Sequence, residues 1–200
     1  MFYPRLIENL MDRLTRLPGI GRRSAERMVF WMLNQPKEDI QALIDAIADL
    51  KAHLMFCRRC HHLSDSALCP ICSDQSRDQG MICIVEDPKD VIAIEKSGAY
   101  KGVYHVLLGT IAPVDGRGPE NLTIQHLLNR VAEEKIQEVI IATDSDNEGE
   151  MTALYLVKVL KPLGGLVSRI GIGLPAGSSL EYADISTLSM SLTSRREVGV

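Results

Sequence analysis

Three sets of residues in this 200-residue chain have types and spacings suited to chemistry. The first is cysteine. Residues 56–73 read FCRRCHHLSDSALCPICS and hold two C-x-x-C pairs, Cys57 with Cys60 and Cys69 with Cys72. Each pair fits a tight turn that aims two sulfurs at a common point, and Zn²⁺ takes four thiolates in a tetrahedron at about 2.3 Å. Four protein ligands leave no open position, so the expected metal is structural and locks a segment with too few apolar residues to fold alone. A redox role for one pair leaves the second unexplained. His61 and His62 are spare ligands by type and read as exposed loop residues. Cys83, in the apolar run MICIV, reads as a buried strand thiol without chemistry.

The second set is acidic. Glu86 stands alone after an apolar run, and Asp144-Ser145-Asp146 is followed closely by Glu148 and Glu150. Clustered carboxylates repel one another, so the cluster needs a reason. Binding Mg²⁺ through one or two carboxylates plus a substrate phosphate is one reason. Capping a helix N-terminus, where acids are favoured, is another. The third set is Leu17-Pro18-Gly19-Ile20-Gly21 followed by Arg22, Arg23 and Arg27. Gly19 and Gly21 allow a tight turn and close approach to a phosphate, which the free N–H groups of a following helix can hold. Arg23 and Arg27 are four apart and share a face of that helix, with Arg22 beside them.

Helices, strands and one knuckle must position these groups. Pro4 opens a helix with Leu6, Ile7, Leu10, Met11 and Leu14 on one face, and the P-G-I-G turn ends it. A second helix presents Ala25, Met28, Val29 and Met32 and stops before Pro36, with Trp31 expected in the core. A third runs from about Lys37 to Leu54 with Ile40, Leu43, Ile44, Ile47 and Leu50. The knuckle follows as a rigid joint between different halves. Asp74 to Gly80 is a polar connector. Strands are then predicted at 81–85, 103–107, 138–142 and 167–171. Helices are predicted from Asp87-Pro88 to about Lys96, at 122–134 and at about 150–160, with a glycine- and proline-rich loop over 109–119. Such alternation implies βαβ units and a mostly parallel sheet, whose function gathers beyond the carboxyl ends of its strands. Glu86 and the Asp144–Glu150 stretch both fall there. Asp184 caps a final helix carrying Ile185, Leu188 and Leu192 and ending near Arg195-Arg196-Glu197. The expected fold class is therefore α+β, with helices first, a knuckle next and an α/β region last. The boundaries are 1–55, 56–79, 80–172 and a C-terminal segment, 173–200, that packs on its own sheet or on a second subunit.

Composition narrows the function. The net charge of −4 argues against wholesale electrostatic binding of nucleic acid. Residues 1–34, however, carry six arginines against three acids, a local +3, which leaves −7 on the other 166. A phosphate-binding surface is expected at the N-terminal end. No apolar run is long enough to span a membrane, the first residues read as an amphipathic helix rather than a signal peptide, and the cysteine usage suits a reducing cytoplasm. No P-loop motif and no Ser/His/Asp or Cys/His set is present, and nothing singles out one of Tyr3, Tyr100, Tyr104, Tyr155 and Tyr182 as a nucleophile.

LPGIGRRSAERM resembles the helix-hairpin-helix motif of DNA-binding proteins, whose backbone contacts ignore base identity. Glu86 paired with the D-x-D of Asp144 and Asp146 resembles the Toprim domain of topoisomerases, primases and some nucleases. In order along essentially the whole chain, LPGIGRRSAERM, the four cysteines, IVEDPKDVIAIEKSG, GTIAPVDGRGP, GLPAGSSLEYAD and TSRREV are similar to the bacterial recombination mediators of the RecR family. The resemblance implies DNA contact at Arg23 and Arg27, beside the hairpin's Gly19, Gly21 and Arg22, together with structural zinc and a cytoplasmic, nucleoid-associated protein. It further implies a ring-shaped homotetramer that clamps duplex DNA and works with RecO, and in some bacteria RecF, to load RecA at single-stranded gaps. Many members lack the paired aspartates; Asp144 and Asp146 keep Mg²⁺ binding open here. The leading expectation is a clamp that breaks no bonds. Two others are a Mg²⁺-dependent Toprim nuclease or phosphotransferase using Glu86, Asp144 and Asp146, and a scaffold whose Glu148 and Glu150 recruit a basic partner.

Overall fold

The computed structural model describes residues 2–171, 173, 174, 177 and 179–195, which fold as two compact units, Met1–Leu54 and Met55–Val200.

The first unit is three helices: α1 (Arg5–Leu14), α2 (Arg22–Leu33) and α3 (Lys37–His53). Met11 of α1 packs on Ala25 and Val29 of α2, with Tyr3, Ile7, Leu14 and Ile20 around them. Leu6 and Leu10, expected on the same stripe, stay exposed because the covered line runs through Ile7, Met11 and Leu14 and both leucines lie about 100° to one side of it. Trp31 is also not core; it is 56% exposed. It lies two positions past Val29, about 200° round the helix, so the face that buries Val29 turns it outward. Helix α3 buries none of its residues. Acids in its first turn and Lys51 and His53 in its last complement the helix dipole. Its apolar stripe, Leu43, Ile44, Ile47 and Leu50, is open to solvent.

The second unit begins with the knuckle: an antiparallel pair, β1 (Met55–Phe56) and β2 (Leu63–Ser64), then the single turn α4 (Pro70–Ser73). After it come β3 (Asp78–Val85), α5 (Pro88–Ser97), β4 (Gly102–Val106), α6 (Ile124–Glu133), β5 (Glu138–Ile141), α7 (Asn147–Leu160), β6 (Leu166–Arg169) and α8 (Ile185–Thr193). The four long strands form one sheet in the order β4-β3-β5-β6, with every pairing parallel. Successive residues of β3 face opposite sides. Ile82 and Ile84 pack with Leu127 of α6 and Leu156 of α7, whereas Cys83 and Val85 pack with Val91 of α5. Both faces are thus covered, which explains the unbroken apolar run from 81 to 85.

Strand β3 starts three residues before the predicted Met81, because Asp78 already pairs with Gly102 across a register shift. Helix α7 starts at Asn147 rather than 150, because Asp146 caps it by accepting the Gly149 N–H at 2.8 Å. The knuckle lies in the same compact unit as the sheet and is bonded to it. Val106 donates its N–H to Cys60 O at 2.8 Å, and Arg59 forms a two-pronged pair with Glu134 at 3.0 and 2.8 Å. His61 is not the exposed loop residue expected. It is half-buried at φ 60°, hydrogen-bonded to His126 at 2.9 Å and stacked edge-on against the fully buried His105. Asp184 caps α8 as expected, accepting the Thr187 N–H at 2.8 Å. Pro175, Ala176, Ser178 and Arg196, Glu197 and Val198, all within the stretches quoted above, lie outside the described residues. Among the described residues no helix is long and apolar enough to cross a membrane.

Candidate functional site

Each unit carries its own candidate chemistry. In the first, the chain leaves α1 and turns at Gly19, whose φ of +79° lies in the left-handed region that favours glycine. Gly21, at φ −83° and ψ 170°, is ordinary extended backbone at the N-cap of α2. A methyl there would meet nothing within 4 Å, and glycine is among the residues favoured at an N-cap. The N-terminus of α2 has no side-chain cap and no acid in its first turn. Its first amides and the positive end of its dipole are therefore open to an anion. The three arginines beside it part ways. Arg22 pairs with Glu8 and, at 3.1 Å, with Asp12, which ties α2 to α1. Arg23 and Arg27 have no acidic partner among the described residues and line one groove on α2.

The knuckle brings Cys57, Cys60, Cys69 and Cys72 together, with their sulfurs within 4.8 Å of one another and all four buried. Cys69 stands at the N-cap position of α4 and Pro70 fills its first position, which brings Cys72 round to the cluster. The Cys69 N–H donates to Cys57 Sγ at 3.3 Å. Close contact with the sulfurs of Cys60, at 3.5 Å, and Cys72 holds the Cys69 thiol below its usual range, while Cys60 is pushed up. Four buried soft donors with no further side chain in the group fit a closed tetrahedral Zn²⁺ site. His61 and His62 stay outside it. Cys83, the fifth thiol, is buried in β3 and pushed up to about 12 by desolvation, which keeps it inert.

The third site follows from topology. The connection after β3 runs to β4 on one side and the connection after β5 runs to β6 on the other, so a crevice opens between the carboxyl ends of β3 and β5. Glu86 leaves β3 there and Asp144 follows β5. Glu86 is only 8% exposed and accepts the Asp144 N–H on Oε1 at 3.0 Å. Burial pushes its pKa up to about 7, with Asp144, Asp146 and Asp90 adding to the rise and the Asp144 amide opposing it. Asp144 is exposed, and its carboxylate has no partner among the described residues, whereas Asp146 is spent on the α7 cap. The three carboxylates do not converge as the cysteines do. Glu148 accepts the Thr110 hydroxyl at 2.6 Å and pairs with Arg117 at 3.3 Å, and Glu150 pairs with Arg169 at 2.7 Å. Both acids singled out for partner contact are therefore already matched by basic side chains of the same unit.

Gly149 escaped the sequence reading. A Cβ at this position would stand 2.2 Å from Asp144 O and 2.8 Å from Glu86 Oε1. Its absence lets the first turn of α7 close on both acids, and Thr143 fastens the turn by donating its hydroxyl to Gly149 O at 3.0 Å. The signal was present as a glycine three residues after the D-x-D aspartate, in a first turn where ordinary helix formers are preferred.

A parallel sheet with a glutamate and a D-x-D at its crevice, joined to a four-cysteine knuckle and preceded by a glycine-turned helix pair, defines a Toprim protein with helix-hairpin-helix and zinc-finger modules. The family model for the Toprim domain matches residues 80–171. The models for the RecR helix-hairpin-helix, the RecR four-cysteine zinc finger domain and the RecR C-terminal region match 7–51, 54–74 and 173–196. The Recombination protein RecR of Desulforudis audaxviator (strain MP104C) is 48% identical over 198 residues, covering 99% of this chain and all of that protein. The chain belongs to the RecR family of recombination proteins.

Proposed function

We propose that this chain is a recombinational DNA-repair mediator that grips the sugar-phosphate backbone without regard to sequence, several copies at once. The observation that carries the reading is the bare, dipole-positive N-terminus of α2 behind Gly19, flanked by the unpaired Arg23 and Arg27. A few phosphate contacts per chain bind weakly and salt-sensitively. Linking several such hairpins raises the effective concentration and multiplies affinity by about 10²–10⁴. The open apolar stripe of α3 supports self-association, because a helix that buries nothing in its own unit has apolar area left to cover. Family membership supports a tetrameric ring and a partnership with RecO, and with RecF where present, that loads RecA at gaps. Zinc holds the knuckle and takes no part in chemistry.

The test is duplex binding at matched salt by the parent and the Arg23→Ala/Arg27→Ala variant. Binding is expected to vanish in the variant with the fold intact; equal affinity overturns the reading. Solution mass with and without duplex tests assembly in the same samples.

A Mg²⁺-dependent strand-cleaving activity is the second reading. It draws on the unpaired carboxylate of Asp144 beside Glu86 at the crevice. Metal-dependent cleavage lost in Asp144→Asn would establish it, and no turnover with Mg²⁺ or Mn²⁺ across substrates would remove it.

A further inference from the structure

The groove on α2 holds more than arginines. Arg23, Ser24, Glu26, Arg27 and Phe30 line a cavity of about 460 Å³. Arg23, Arg27 and Phe30 follow at intervals of four and three, so they form one stripe along the helix. Phe30 is 42% exposed, and the core of the unit is built from Met11, Ala25 and Val29 without it. Its ring is nonetheless held in place. Tyr3 packs against it edge-on, with centroids 5.8 Å apart and planes at 65°, and the Tyr3 hydroxyl donates to the Glu26 carboxylate. That bond draws the one acid of the groove toward Tyr3, leaving two unpaired guanidinium groups beside a fixed aromatic face.

We infer that this groove takes an unstacked nucleotide of single-stranded DNA, with the base on Phe30 and its flanking phosphates on Arg23 and Arg27. The inference rests on the phosphate-gripping reading above and adds the strand state it prefers. In a duplex both faces of every base are occupied by the stack, so a ring beside the phosphate ligands offers it nothing. An unpaired base has a free π-face, and stacking on an aromatic side chain is tolerant of sequence. A chain that meets both strand states at a gap would then use the α2 amides on either and Phe30 on the single strand alone.

The experiment compares the full-length, zinc-loaded parent with Phe30→Ala, Phe30→Leu and Arg23→Ala/Arg27→Ala. Oligothymidylate and a duplex are titrated at matched salt, and solution mass is measured for each variant. Phe30→Leu keeps apolar bulk against Tyr3 but has no π-face, so it separates stacking from packing. Both Phe30 variants are expected to lose about five- to a hundredfold in single-strand affinity and to keep duplex affinity. The double arginine variant should lose both ligands. Equal losses on single strand and duplex at Phe30, or no loss on either, overturn the stacking proposal and leave phosphate gripping standing. A change of assembly state in Phe30→Leu also overturns it, by making the groove a contact between copies. Full binding by the double arginine variant removes the underlying reading instead.

Discussion

Replacing Glu86 with glutamine removes a charge while keeping the Oε1 acceptor that receives the Asp144 N–H at 3.0 Å. Burial and neighbouring acids hold the Glu86 carboxyl at about 7 against an ordinary 4.5. Between those two values the folded chain keeps a proton that the unfolded chain has released. Stability therefore falls as pH rises through that window and levels off above it. At about 1.36 kcal/mol per pH unit the full difference is about 3.4 kcal/mol, and the reach of water at the sheet edge brings the expected loss to about 2–3 kcal/mol. Glutamine has nothing to ionise, so Glu86→Gln should be the more stable protein by about that amount at pH 8 and should match the parent near pH 4.5. The assay is urea unfolding across this range in saturating zinc and constant ionic strength. It should be read from Tyr100 and Tyr104 or from exchange of the β3 and β5 amides. Trp31 belongs to the first unit and would report the wrong transition. Contributions from the other titrating groups cancel in the difference between the two proteins. Parallel pH curves would refute the reasoning and put Glu86 among ordinary ionised carboxylates.

Gly149→Ala forces a methyl into Asp144 O and Glu86 Oε1; the second unit should lose about 1–3 kcal/mol or more by urea midpoint, and an unchanged midpoint would contradict the close approach. Cys69→Ser should abolish the one zinc per chain that metal analysis is expected to find in the parent and lower the stability of the second unit sharply. A well-folded, zinc-free parent would disprove the metal site. The two hairpin glycines should separate. Gly19→Ala costs about 1–2 kcal/mol of strain at its left-handed φ, measured by thermal melting of the first unit. Gly21→Ala meets no steric clash and costs only the N-cap preference, about 0.5–1 kcal/mol, but weakens DNA binding by placing a methyl before the α2 amides; wild-type affinity in Gly21→Ala would show that no phosphate comes close there.

Much of this molecule is legible without coordinates, because the signals are local. Two C-x-x-C pairs specify a four-thiol cluster, since each pair needs only its own turn to aim two sulfurs. Apolar runs bounded by Asp-Pro, glycine and acidic residues specify the alternating strands and helices, since burial on both faces leaves no other composition for a central strand. The P-G-I-G turn specifies where α1 ends and α2 begins. Other features depended on what each residue meets across space. Periodicity marked the stripes of α2 and α3 as apolar, but only packing determined that Ala25 and Val29 are covered while Trp31 and the α3 stripe are not. Spacing placed Arg22, Arg23 and Arg27 together, and only the fold gave Arg22 to Glu8 and Asp12 and left the others unpaired. Likewise the D-x-D read as one acidic patch. The sheet's order of strands set Asp144 free in the crevice, spent Asp146 on a helix cap, raised Glu86 by burial and required Gly149 to lack a side chain. Type and spacing along a chain determine what a residue is able to do; long-range contacts determine which charges are already satisfied and which remain for a ligand.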